Sequence, residues 1–99
     1  MTKVYSERDG NRYILSARGH STGSPEVCAG VSAILYALLG FLENCPDKEI
    51  FYRETGSGHV TLDCQGGATV RAAFDMANIG LLQIQAKHPD YISVDCVET

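Results

Sequence analysis

The stretch Val27 to Leu42, "VCAGVSAILYALLGFL", constrains this chain more than any other. It follows Ser24-Pro25, a strong helix start: the serine hydroxyl caps orphan amides, and proline, lacking an N–H, loses nothing at the first helical position. A helix is therefore expected from Pro25 to about Asn44. Its apolar residues fall on nearly every side, among them Val27, Val31, Ile34, Leu35, Tyr36, Leu38, Leu39, Phe41 and Leu42. Such a helix needs cover on more than one face. A sheet supplies part of that cover, and a second helix or a partner subunit must supply the rest. Gly30, Ser32 and Gly40 interrupt the run, which falls short of the ~18 to 20 unbroken apolar residues of a membrane span, so a buried helix is expected and no membrane anchor.

The flanking segments read as hairpins and a second helix. Asp9-Gly10 separates extended runs at about Lys3 to Arg8 and Asn11 to Arg18, with Tyr13, Leu15 and Ala17 expected to face the core. After Pro46, "EIFYRETGSGHVTLDCQGG" turns at Gly56-Ser57-Gly58 and puts Val60, Leu62 and Cys64 on one side. Helical spacing of Val70, Ala73, Ala77, Leu81 and Ile84 follows, with Arg71 one turn before Asp75, and this helix ends near Lys87, ahead of Pro89. "YISVDCVE" alternates as a half-buried strand. The order β-β-α-β-β-α-β predicts one α+β domain over residues 1–99, a mostly antiparallel sheet of about five strands with two helices on one face.

Charge narrows the function. With eight Lys plus Arg against twelve Asp plus Glu, net charge −4, and no basic cluster, the chain lacks the electrostatic footprint of a direct nucleic-acid binder. The opening "MTKVYSERDGNRY" has no secretory-signal pattern, so a cytoplasmic setting with reduced thiols is expected. Cys28, Cys45, Cys64 and Cys96 match no zinc spacing, and neither His59 nor His88 has a ligand-like companion, so no metal or cofactor is expected. Gly66-Gly67 is followed by no lysine and no P-loop spacing.

One cysteine stands apart. Cys28 lies in the first turn of the apolar helix, where unpaired amides and the macrodipole favour negative charge and can hold an oxyanion. The thiolate is the attacking species. His20, at the end of the second strand, is joined to it by the bendable "STGS" and is placed to serve as general base. The competing reading, that Cys28 is core packing and His20 a surface residue, fits the general habits of both residue types. Cys64 and Cys96 sit in register with the apolar residues of their strands, and Cys45 follows the helix end; all three read as structural. Tyr36, Phe41 and Phe74 read as core, and His59 and His88 as solvated.

Gly19-His20, the loop, and then "VCAGVSA" on a helix start resemble the ribosomal-processing cysteine protease family. The opening hairpin and a last helix running into "HPDYISV" extend the likeness over the whole chain. The resemblance implies that Cys28 is the nucleophile and His20 its base; Gly19 and Ser32 match motif positions with no assigned chemistry. It also implies a small α+β homodimer. The substrate it implies is the short, Phe-containing N-terminal leader of a large-subunit ribosomal protein, the twenty-seventh of its set, trimmed during ribosome assembly. Phage members act on capsid or scaffold proteins instead. Two departures from the family pattern are visible: the loop between His20 and Cys28 is several residues shorter, and the nearest counterpart of the family's acidic position is Glu26. Two readings compete with a peptidase. One is a non-catalytic binding module on the same scaffold; the other, a thiol acyl carrier or transferase, requires a cofactor site of which the sequence gives no sign.

Overall fold

A computed structural model describes residues 1–19 and 24–99. The elements are β1 (Thr2–Asp9), β2 (Arg12–Arg18), α1 (Pro25–Glu43), β3 (Lys48–Gly56), β4 (His59–Gly66), α2 (Ala68–Lys87) and β5 (Ile92–Glu98). Five strands form one sheet in the order β3-β4-β2-β1-β5.

Local chemistry accounts for the turns. Asp9 pairs with Arg12, so Gly10 and Asn11 make a two-residue loop, and Gly10 takes φ +61° at its first central position, as a type II′ hairpin turn requires. Ser57 and Gly58 make a second two-residue loop between β3 and β4, here with the positive φ, +79°, at the second central position.

The sheet is mostly antiparallel, as expected, with one parallel pair at its edge. Three strand pairs are antiparallel, but β5 runs parallel to β1. The cause is the crossover: α2, twenty residues long, carries the chain back over the sheet, so β5 must repeat the direction of β4, which is also that of β1. Hairpin signals are local and legible in sequence, whereas the strand a crossover lands beside is not.

Tyr13, Leu15 and Ala17 face the helices and are buried, as are Leu62 and Cys64 of β4. Tyr13 stacks on Phe74 of α2, ring centroids 5.4 Å apart. Helix α1 inserts Val27, Val31, Leu35, Leu38, Leu39 and Leu42 into this core. By length and composition α1 could cross a membrane, contrary to the sequence expectation, yet those six side chains make it the core helix of this fold. The two helices meet through reciprocal notches. Gly30 receives Ile84, and Gly80 receives Ile34; a Cβ on either glycine would lie 3.1 Å or 2.9 Å from the incoming isoleucine Cδ1.

Three expectations about burial change. Phe74 is core, but Tyr36 and Phe41 are 61% and 47% exposed, because α2 covers only one flank of α1. Cys96 lies on the exposed part of β5, beyond the reach of the helices, whereas Cys45 and Cys64 are buried. The predicted Arg71–Asp75 pair forms along α2 at 3.8 Å.

Asp47 holds the start of α2. Gly67 at the N-cap has no side chain to cap the helix, so Asp47 reaches across from the α1–β3 connection. Its Oδ2 accepts from the Thr69 amide at 3.0 Å, and its Oδ1 accepts from the Cys45 thiol at 3.0 Å. The thiol bond, followed by the helix amides, holds the Asp47 carboxyl below its ordinary range, and the same bond raises the Cys45 thiol.

Candidate active site

Helix α1 begins as its sequence dictates. Ser24 is the N-cap and its Oγ accepts from the Val27 amide at 3.4 Å, Pro25 opens the helix, and Glu26 supplies a carboxylate to the first turn. Cys28 follows in the fourth helical position, half-buried. Its own amide donates to the Ser24 carbonyl at 3.2 Å and so is committed to the helix. That corrects the expectation of several free oxyanion donors: Pro25 has none, Cys28 has used its own, and the first-turn amide not taken by these two bonds is that of Glu26.

Cys28 opens into a cavity of about 160 Å³ at one end of the sheet. Helix α1 forms one wall through Cys28, Ser32 and Tyr36, which recur every fourth residue on one stripe; Val31 and Leu35 form the floor. The opposite wall is the β3–β4 hairpin, at Gly56 and Gly58, and the ends of β1 and β2 close the cavity with Thr2 and Gly19.

Gly19 now has a physical role. Its φ is +87°, and a Cβ there would lie 2.8 Å from the Met1 carbonyl oxygen. Its amide donates to the Gly58 carbonyl at 2.8 Å, tying the exit of β2 to the hairpin wall. The next residue, His20, lies outside the described residues, so the predicted base has no described position relative to Cys28.

His59 also borders the cavity, but its ring is engaged elsewhere. In the β3–β4 register, Gly56 pairs with His59 and Glu54 with Thr61, which places Glu54 and the His59 side chain on the sheet face away from the helices. There His59 Nε2 lies 2.9 Å from Glu54 Oε1, and the ring sits over Gly56, whose Cβ, if present, would be 2.6 Å from Cε1. Glu54 Oε2 accepts from the Tyr52 hydroxyl at 2.9 Å. The His59 contact first, then that of Tyr52, keeps the Glu54 carboxyl below its usual range. Among the described residues no group of His, Cys, Asp and Glu could hold a metal ion.

Sequence reasoning missed Tyr36 and the glycine hairpin as cavity residues. The four-residue spacing of Cys28, Ser32 and Tyr36 was available; the hairpin's approach to α1 was not, because it arises from β4 lying between β2 and β3.

Surroundings shift the thiols of two other cysteines. Burial pushes Cys64 up to about 11, and desolvation, then Asp95, raises the exposed Cys96. At neutral pH and limiting iodoacetamide, Cys28 is expected to be alkylated first, Cys96 more slowly, and Cys45 and Cys64 only on unfolding. Peptide mapping of the labelled protein reads that order, and faster labelling of Cys96 than of Cys28 defeats it.

A half-buried thiol in the first turn of a helix, opening into a cavity between helix and hairpin, has the placement that a cysteine peptidase's nucleophile needs. The model for the family described as cysteine protease Prp matches residues 1–93, and the chain belongs to that family and is a cysteine protease. No curated protein matches the sequence. Among solved structures, SMU.848 from Streptococcus mutans is similar at 18% identity and a TM-score of 0.76, over 100% of this chain and 96% of that one. The essential ribosomal processing protease Prp from S. aureus is similar in two peptide complexes. With a covalently linked product peptide the identity is 17% and the TM-score 0.73; with a substrate peptide they are 15% and 0.75. Each covers 97% of this chain and 99% of that one. These likenesses establish the shared fold.

Proposed function

We propose that the chain is a processing endopeptidase that removes the N-terminal leader of a large-subunit ribosomal protein, the twenty-seventh of its set. The observation that carries this reading is the position of Cys28, in the first turn of α1 at the mouth of a cavity that also exposes Ser32 and the hairpin backbone. The peptide complexes of the S. aureus protease support a peptide as the ligand of that cavity.

In the proposed mechanism His20 takes the Cys28 thiol proton, the thiolate attacks the scissile carbonyl, the Glu26 amide at the start of α1 meets the developing oxyanion, and His20 passes the proton to the leaving amine. The thioester is then hydrolysed by water, with His20 again as base. A homodimer is part of the proposal. It is supported by the apolar residues that α1 and α2 leave uncovered, Phe41, Met76, Ile79 and Leu82, and by the groove of about 520 Å³ that Ile34, Phe41 and Met76 help to line. A cytoplasmic setting is supported by the buried thiols of Cys45 and Cys64.

Incubation with a leader-bearing ribosomal protein, read by intact mass, tests the proposal. One cut at the leader junction is expected, from a protein whose light scattering gives twice the mass of one chain. Cleavage of a phage capsid or scaffold protein in place of the leader would reassign the substrate. Retention of the leader without cleavage would favour a binding module on this scaffold.

A further inference from the structure

Tyr36 is the largest exposed side chain on the cavity wall, and its position sets a length scale. Cys28, Ser32 and Tyr36 occupy one stripe of α1 and border one cavity, so a peptide attacked by Cys28 and laid along this stripe passes the other two. Eight helical residues separate the thiol from the tyrosine, a rise of about 12 Å. An extended peptide advances ~3.3 Å per residue, so it passes Ser32 about two residues from the scissile bond and Tyr36 three to four residues from it.

Two observations show that this stretch is shaped to receive a chain. The hairpin wall opposite carries glycine at positions 56 and 58, so no side chain of these two residues projects toward α1, while the His59 ring lies over Gly56 and the Gly58 carbonyl is held by the Gly19 amide. The floor between is apolar and closed, with Val31 and Leu35 at 5% and 4% exposure, while Tyr36 is 61% exposed and contributes little to the core. A tyrosine ring with an apolar face and a hydroxyl tip is well suited to cover a substrate side chain, and the Ser32 hydroxyl to bond substrate backbone on the way.

We propose that Tyr36 forms a remote specificity subsite, reading the substrate side chain three to four residues from the bond that Cys28 attacks. This rests on the peptidase reading of Cys28. It assigns Tyr36 to substrate recognition and leaves bond-breaking to others.

The test uses the full chain and a dodecapeptide library, with cleavage sites and rates read by mass spectrometry. Wild type is expected to show side-chain preference at the third or fourth position on one side of the cut. Tyr36→Ala is expected to flatten that preference and lower kcat/KM about tenfold through KM, with kcat retained. Tyr36→Phe keeps the ring and the preference. Library peptides trimmed to two residues on the side read by Tyr36 should be cut equally by wild type and Tyr36→Ala. An equal defect at every length, or an unchanged preference, overturns the subsite. Circular dichroism and melting of Tyr36→Ala should match wild type, as its exposure requires.

A parallel arm measures binding of the same library to Cys28→Ala and to Cys28→Ala/Tyr36→Ala. If wild type cuts nothing but Cys28→Ala retains peptides, the catalytic reading fails alone, and loss of the positional preference in the double variant still upholds the subsite. If nothing is cut and nothing is retained, both readings fall.

Discussion

Cys28→Ala is expected to reduce kcat/KM for leader cleavage by a factor on the order of 10⁴ or more, while the protein still binds the leader and melts as wild type does. The size of the loss follows from the role: a covalent nucleophile has no substitute in the site, and what survives its removal is the contribution of binding and oxyanion donors alone. His20→Ala is expected to lose a comparable factor. Because nucleophile and base act as one unit, the double variant should be no worse than the worse single one. Stopped assays of the three variants against leader peptide check this. Losses that multiply in the double variant would show that His20 does not serve Cys28, and a Cys28→Ala enzyme of normal rate would remove the cysteine from the chemistry.

The largest effect on stability is expected at Gly66. A Cβ there would lie 2.5 Å from Val70 Cγ2 and 2.9 Å from the backbone oxygen of Asp47. Backbone cannot rotate away, so Gly66→Ala must push the α1–β3 connection off the start of α2, which is the contact through which Asp47 caps that helix. Overpacking of this kind costs about 2–3 kcal/mol, and for a domain near 100 residues the melting temperature falls by roughly 10–20 °C. Gly40→Ala is the control: nothing lies within 4 Å of a Cβ there, and alanine in a helix interior gains about 0.5–1 kcal/mol. Calorimetry should therefore move the two variants in opposite directions.

The same clamp has a pH signature. The Asp47 carboxyl is held below its ordinary range, so its contribution is fully present above the unfolded-state carboxylate pKa and is lost as pH falls through the lower folded value. Asp47→Asn should melt lower than wild type at neutral pH, with the gap closing in acid. A gap that widens in acid contradicts the assignment.

How much of this was legible in the sequence depends on how local the signal was. Asp9-Gly10, Ser24-Pro25 and the Gly56-Gly58 turn each act within a few residues, and the strands and helices they bound lie within about two residues of expectation. The direction of β5 depends on where a twenty-residue crossover lands, and the exposure of Tyr36 on how far α2 covers α1; neither is encoded near the residue affected. Tyr36 and Phe41 illustrate the point in opposite directions. Both are apolar enough for a core, and both stand on a helix apolar all round, but one borders the cavity of Cys28 and the other a groove left uncovered. Asp47 is the same lesson for capping: the residue that closes the start of α2 is twenty-two positions away from the amide it serves.

The pairing of β1 with β5 reaches further than sheet order. Thr2, which borders the cavity, has its amide fixed by the carbonyl of Tyr91 at 2.9 Å, ninety residues of chain closing on one wall of one cleft. During synthesis from the amino end, Cys28 and its helix emerge long before Tyr91 can dock. A half-made chain therefore carries the thiol without the contact that fixes Thr2 at the edge of the cleft.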